Sequence, residues 1–382
     1  MKLSQILFAF TIVAVVVSQS FAQEHTNRRD IMQDEVLRRD FNIQGEYIAK
    51  MDNFKVGLQL IARGDGKFSV VAYPGGLPGD GWKAGEPRML GKAELDGDDI
   101  KFDMTEGKGT KDGQTIEMPE NIKATGKVII ERPQPGQGQR PQGQGQGQGN
   151  RFAFRGFPVK IDVPLGDMNP ALTFEKEFRQ SPTLGEAAPS GAKVIFDGNN
   201  VDQFEPGAKI NEVQFGNNNS SPRFNTLWAD ATTKPFENKP YKLHLEFMLS
   251  YMPEASGQGR SNSGVYLGQS YECQVLDSFG LEGENNECGG FYQISKPIVN
   301  MCFPPLVWQT YDIDYTPAKF EDGKKVSKAK ISVTQNGVLI QDNVEFDHET
   351  GGGVAESDKP RGIHLQGHGN KVQYRNIWIE YK

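Results

Sequence analysis

The sequence predicts an all-β protein of two domains, a small antiparallel β domain followed by a larger β-sandwich or jelly roll, and three observations support this. Its 382 residues include 44 Gly and 22 Pro, about 17% of the chain against roughly 12% expected, which favours many turns and hence many short strands. Short runs alternating apolar and polar residues recur between Gly-, Pro- and Asn-rich turns. No segment sustains a long helical period. A formal charge of −7 with 42 basic residues excludes a whole-protein electrostatic footprint for nucleic acid. Aromatic residues at 10% exclude collagen, coiled coil and wholesale disorder.

Met1-Lys2, an apolar run over 6–17 and Ser20-Phe21-Ala22 ahead of Gln23 form a secretory signal peptide over residues 1–22. Its apolar part is too short to span a bilayer comfortably, and an uncleaved anchor is the alternative. The expected destination is the periplasm or the exterior, with no membrane span after cleavage.

After a polar, charged segment (23–40), alternation begins. Gly45-Glu46-Tyr47-Ile48, a run over 56–62 and a run over 68–73 read as strands, the last two joined by the turn Arg63-Gly64-Asp65-Gly66-Lys67. A loop over 75–82 precedes strand candidates at 100–104, 115–118 and 123–130, so residues 40–175 read as the small β domain. Residues 133–149 hold only Pro, Gln, Gly and one Arg. Such a run has no apolar side chains to bury and reads as a disordered insert within that domain, or else as a domain linker. The better linker is 176–190, through Ser181-Pro182-Thr183-Leu184-Gly185 and Ala187-Ala188-Pro189.

Residues 191–382 read as the second domain, with strands near 193–196, 241–249, 263–267, 271–276, 310–315, 328–335, 338–340, 362–366 and 372–380. Asn336-Gly337 is the strongest hairpin signal. Export permits disulfides. Cys273 lies in a strand-like run, whereas Cys288 and Cys302 sit in loop sequence and are the better pair, closing a loop worth about 3 kcal/mol. An odd cysteine count leaves the pairing open.

The segment most informative about chemistry runs from Gly259-Arg260-Ser261-Asn262-Ser263-Gly264-Val265-Tyr266-Leu267 to Tyr271-Glu272-Cys273-Gln274-Val275-Leu276-Asp277-Ser278. With the turn at Gly268-Gln269-Ser270, Tyr266 faces Glu272 and Gly264 faces Gln274. Asn262, Gly264, Tyr266, Glu272 and Gln274 then share one face, while Val265, Cys273 and Val275 share the other. A polar face with an aromatic ring and a glycine gap suits the floor of a sugar cleft; a solvated outer face is the plainer alternative. Asp277, at the strand end, is either a site carboxylate or a turn cap. No P-loop, nucleophile elbow or dinucleotide fingerprint is present. His364 and His368 lie four apart on strand and turn, so the helical zinc geometry does not apply. A carboxylate-bound Ca²⁺ is the sole metal the sequence leaves open, without EF-hand spacing, and no cofactor is expected.

These blocks, with Val194-Ile195-Phe196-Asp197-Gly198, Cys288-Gly289-Gly290-x-Tyr292, Trp308-Gln309-Thr310-Tyr311-Asp312, Leu365-Gln366-x-His368-Gly369 and Arg375-Asn376-Ile377-Trp378, resemble the 3-keto-disaccharide hydrolase domain family over about residues 190–382. The N-terminal part is similar to the small β domain that precedes it in exported planctomycete-type proteins. The resemblance implies a concanavalin-like jelly roll that cleaves glycosides bearing a ketone at C3, by C2 proton abstraction, elimination and hydration. It implies Glu272 as the favoured acid/base, Asp277 as second carboxylate or metal ligand, and His368 as a second proton-transfer group. It further implies Arg260, Asn262, Tyr266, Gln274, Tyr292, Trp308 and Arg375 as contacts to an oligosaccharide or glycoside. Gly367 departs from the family, which commonly has Asp there. Two other readings stay open: a non-catalytic carbohydrate-binding module, and ordinary glycoside hydrolysis by two carboxylates.

Overall fold

The computed structural model describes residues 22–51, 54–111, 114–117, 121–131, 158–165, 168–214 and 223–382. The expected signal peptide, apart from Ala22, and the 133–149 insert lie outside the described residues. The chain enters through two short helices, α1 (Arg28–Gln33) and α2 (Glu35–Ile43). Side-chain caps start both: Asn27 accepts from the Asp30 N–H and Asp34 from the Leu37 N–H. They bury Ile31, Phe41 and Ile43 against the first domain.

Among the described residues eight long strands form the barrel of that domain: β1 (Gly45–Met51), β2 (Phe54–Ala62), β3 (Lys67–Pro74), β4 (Arg88–Asp96), β5 (Asp99–Lys111), β6 (Ile122–Ile130), β7 (Val159–Leu165) and β8 (Met168–Glu177), and the short strand Gln114–Glu117 pairs with the end of β5. They run β4-β3-β2-β1-β8-β7-β6-β5, and β5 pairs back onto β4, closing an antiparallel barrel. Tyr47, Leu60, Phe68, Val70, Ile100 and Ile161 fill its core. β6 pairs with β7 through Ile130 opposite Val159, so the two ends of the intervening segment meet within the barrel.

The C-terminal domain is a sandwich. Its larger sheet contains β9 (Lys193–Phe196), β10 (Ile210–Gln214), β11 (Arg223–Trp228), β12 (Tyr241–Met248), β15 (Trp308–Thr316), β16 (Ala329–Gln335), β17 (Val338–Phe346) and β19 (Gln373–Tyr381). They are ordered β10-β11-β19-β12-β15-β16-β17, with β9 also on β19. The smaller sheet is the short strand Ala231–Thr232, then β18 (His364–Leu365), β13 (Ser263–Leu267) and β14 (Tyr271–Val275). Leu243, Leu245 and Phe247 of the larger sheet and Val265, Leu267, Cys273 and Val275 of the smaller share one apolar core. Asn336 and Gly337 turn β16 into β17 with φ of 51° and 83°, the left-handed pair that a tight hairpin needs.

The expected pair, Cys288 and Cys302, lies side by side, the two thiols hydrogen-bonded to each other with no S–S bond between them. All three cysteines are buried and free. Each loop thiol also has a core partner: Cys288 Sγ lies 3.2 Å from the Tyr311 hydroxyl, and Cys302 Sγ lies 3.5 Å from the Leu276 carbonyl.

Candidate active site

The hairpin β13–β14 has the register that its turn predicts, with Tyr266 opposite Glu272 and Gly264 opposite Gln274. Gly268 and Gln269 carry the positive φ of the turn. Apolar residues at alternate positions go to the sandwich core, which sends the polar set to the other face. That face is covered, and Glu272 is only 3% exposed.

Glu272 is held from several sides. Its N–H donates to Thr350 Oγ1 at 2.8 Å. A Cβ at Gly264 would stand 2.1 Å from Glu272 Oε1, so the space opened by that glycine houses the carboxyl group itself. In the amide orientation that satisfies its neighbours, Gln274 donates to the Ser263 carbonyl at 2.7 Å and to Glu272 Oε1 at 3.3 Å. Burial pushes Glu272 up to about 7, a hydrogen bond from Tyr266 pulling the other way. A carboxyl group that titrates near neutrality can give or take a proton at working pH.

Around it stand polar and aromatic groups. The Tyr266 hydroxyl lies 3.1 Å from the Gly351 carbonyl and accepts from Gln366 Nε2 at 3.2 Å. Asn262 is 1% exposed; its Nδ2 donates to the Gln258 carbonyl at 2.8 Å, while its Oδ1 is buried with no partner. The half-buried Tyr292 ring lies against Gly351. His364, on β18, pairs across the sheet with Tyr266, their rings 5.7 Å apart, and its Nδ1 is 2.9 Å from Thr232 Oγ1.

Five expected site residues are placed elsewhere. Arg260 Nε donates to Asp277 Oδ2 at 2.6 Å in a buried ion pair, and the guanidinium also reaches the Ala255 carbonyl at 3.2 Å. Neither is free to act as a sugar contact or as a second carboxylate. Arg375 lies 4.1 Å over the Trp308 ring and donates to Glu246 Oε2 at 2.6 Å, on the larger sheet. Trp308 is 7% exposed and packs with the barrel's core. His368 is exposed, and no contact among the described residues joins it to Glu272. Beside it, a Cβ at Gly367 would stand 2.6 Å from the Asp230 Cβ, so the Asp230 side chain fills that space.

Sequence reasoning missed His364, Gln366, Thr350 and Gln258. Strand alternation sets positions 364 and 366 on one face, but only the tertiary pairing of β18 with β13 turns that face toward Glu272.

A second polar cluster lies on the larger sheet under the linker. His244 Nδ1 is 2.9 Å from Asp312 Oδ1, Glu246 Oε1 accepts from the Gly185 N–H at 2.6 Å, and Thr183 donates to Asp312 Oδ2 at 2.7 Å. Burial alone would depress His244, but hydrogen bonds to Asp312 and Glu246 raise it to about 9. Burial would raise Glu246, yet Arg375 and its hydrogen-bond donors hold it down to about 2. Ligand atoms of Glu186, His244 and Asp312 lie within 4.8 Å of one another, the one such grouping among the described residues. With His244 and Asp312 already bonded to each other, that grouping suits a shared proton better than a metal ion.

Residues 191–380 match the profile of the 3-keto-alpha-glucoside-1,2-lyase-like domain, and this C-terminal half of the chain belongs to that family. Two solved structures from Parabacteroides distasonis ATCC 8503, each described as a candidate glycosyl hydrolase, are similar to it. One is 28% identical, with a TM-score of 0.44, covering 53% of this chain and 90% of its own. The other is 15% identical, with a TM-score of 0.27, covering 53% of this chain and 94% of its own. No curated protein matches the chain.

Proposed function

We propose that the protein is an exported carbohydrate-active enzyme that cleaves 3-keto-glycosides, with Glu272 as its principal acid/base group. The observation that supports this most is a carboxyl group buried on the polar face of β13–β14, titrating at about 7, among Tyr266, Gln274, Asn262 and Gln366 within the family-matched domain. A ketone at C3 acidifies the C2 proton, so a base can remove it and form an enolate. The C1 substituent then leaves as its oxygen takes a proton, and water adds to the resulting double bond. Each positioned acid or base contributes about 10² to 10⁴-fold, and donors near the developing enolate oxygen add more.

Two-carboxylate hydrolysis loses its expected second member, because Asp277 is bound to Arg260. A binding module would use the same polar and aromatic set without turnover. Incubation with a 3-keto-disaccharide and its unoxidised parent, followed by reducing-sugar release, separates the readings. Turnover of the ketone alone supports the proposal; turnover of the parent supports ordinary hydrolysis, and binding without turnover supports the module. Export belongs to the proposal through the leader at 1–22, and amino-terminal sequencing of the protein recovered outside the cytoplasm should begin at Gln23.

A further inference from the structure

Glu272, Tyr266, His364 and Thr232 form one row across four adjacent strands, each directly opposite the next. Directly opposed residues in an antiparallel sheet project to the same face. Neighbouring strands are about 4.8 Å apart, so Glu272 and His364 flank Tyr266 with backbones about 10 Å apart. The Tyr266 side chain stands between them, its ring centroid 5.7 Å from that of His364 and its hydroxyl hydrogen-bonded to the Glu272 carboxyl group, so it links the two groups across the row. His364 is partly exposed and its Nδ1 is engaged by Thr232 Oγ1 at 2.9 Å, which fixes the ring and leaves one nitrogen for other work.

We infer that His364, not His368, is the second proton-transfer group of this site: it takes the C2 proton while Glu272 serves the glycosidic oxygen. This rests on the 3-keto-glycoside reading above. His364 Nε2 accepts the C2 proton, and the C–H electron pair becomes the C1=C2 double bond. The C1–O bond breaks, and the leaving oxygen takes the proton of the Glu272 carboxyl group. In hydration the Glu272 carboxylate takes a proton from water, the hydroxide adds at C1, and C2 recovers a proton from the imidazolium. Both groups end as they began, with no oxidant or reductant needed.

The protonation states fit this division. Burial lowers His364, with Asp230 opposing, so the imidazole is neutral and basic near pH 7. Glu272 titrates at about 7, so much of it is protonated there. The titratable groups facing the pair are Tyr266 between them and Asp230 beside His364, with Tyr292 and Tyr374 nearby. Groups whose surroundings push them apart in this way divide into acid and base.

The test measures cleavage of a 3-keto-disaccharide and exchange of its C2 hydrogen in D2O, by proton NMR, for wild type, His364→Gln and Glu272→Gln. The inference predicts that His364→Gln loses about 10² to 10⁴-fold in kcat/KM. It should also lose the acidic limb of the pH profile and stop C2 exchange. Glu272→Gln should lose cleavage yet still exchange C2. Exchange that survives in His364→Gln, or vanishes in Glu272→Gln alone, overturns the assignment while leaving the substrate reading intact. A wild type that turns over no 3-keto-glycoside removes both. Should His364→Gln fail to fold by circular dichroism, Thr232→Val carries the test: exchange and cleavage should fall together about tenfold, and unchanged exchange overturns the assignment.

Discussion

Glu272 is neutral or charged according to how completely its neighbours exclude water. Its carboxyl is raised to about 7 by burial, so the fold favours the protonated form. Stability from this group is complete below the ordinary carboxylate range, near pH 4.5, and is lost as pH climbs through about 7. Glu272→Gln should therefore flatten the loss of stability over that window. At pH 8 it should make the protein more stable than wild type by up to about 3 kcal/mol; melting temperatures at pH 5 and pH 8 check this, and equal differences at both would contradict it. Much of this residue's setting is legible in the sequence, because a single turn placement fixes the register and thus which residues join it on one face. The partner of Asp277 was not legible, since Arg260 meets it only once the chain leaving β14 returns beside the segment entering β13. The glycine at 264 was legible as a gap, but its occupant, the Glu272 carboxyl itself, was not.

Among the elements, the segment joining the domains is more than a tether. Ser181 Oγ lies 2.6 Å from Thr310 Oγ1, Gly185 donates to Glu246, and the Glu186 carbonyl accepts from Asn376 Nδ2 at 2.9 Å. His244 sits at the centre, stacked on Trp378 with ring centroids 5.0 Å apart. Because its folded pKa is raised to about 9, the stability it supplies is complete below 6.5 and is lost as pH rises through about 9. His244→Gln should lower unfolding free energy by about 2–3 kcal/mol at pH 6 and by clearly less at pH 9.5. Urea unfolding at the two pH values measures this, and an equal loss at both would contradict it. Pro-rich chemistry made 181–189 readable as a linker, yet nothing local shows that it lies along a charged sheet face. The two helices escaped notice for a different reason: they are short, and their cues are the caps Asn27 and Asp34 rather than a sustained period. Strands β4 and β8 were missed as well, and without them the barrel does not close. In β4 (Arg88–Asp96) polar and charged positions interrupt the apolar alternation, so barrel pairing rather than local pattern holds it extended.

At the scale of the whole molecule, the two domains share packing. Met248, Tyr251, Leu306 and Trp308 of the C-terminal half belong to the barrel's core cluster. Arg179 pairs with the buried Glu46 and stacks over Phe303 at 5.2 Å. Ahead of α1, Glu24 accepts from Ser250 Oγ at 2.6 Å and the Thr26 carbonyl from Gln373 Nε2 at 2.9 Å, strapping the N-terminal segment onto the second domain. The full chain should thus unfold in one calorimetric transition, whereas residues 191–382 alone should melt lower and bind more hydrophobic dye. Two well-separated transitions in the full chain would contradict this. An all-β architecture of two domains was legible from turn frequency and alternation; the shared core was not, because it joins residues some two hundred positions apart.

Proton-transfer chemistry on a ketone-bearing sugar is the role proposed for one buried carboxyl group. Its most direct measurement is kcat/KM of Glu272→Gln on a 3-keto-disaccharide at pH 6.5, with folding verified by circular dichroism. The expected result is a loss of at least about 100-fold with the fold retained; a folded variant within threefold of wild type would remove Glu272 from the chemistry.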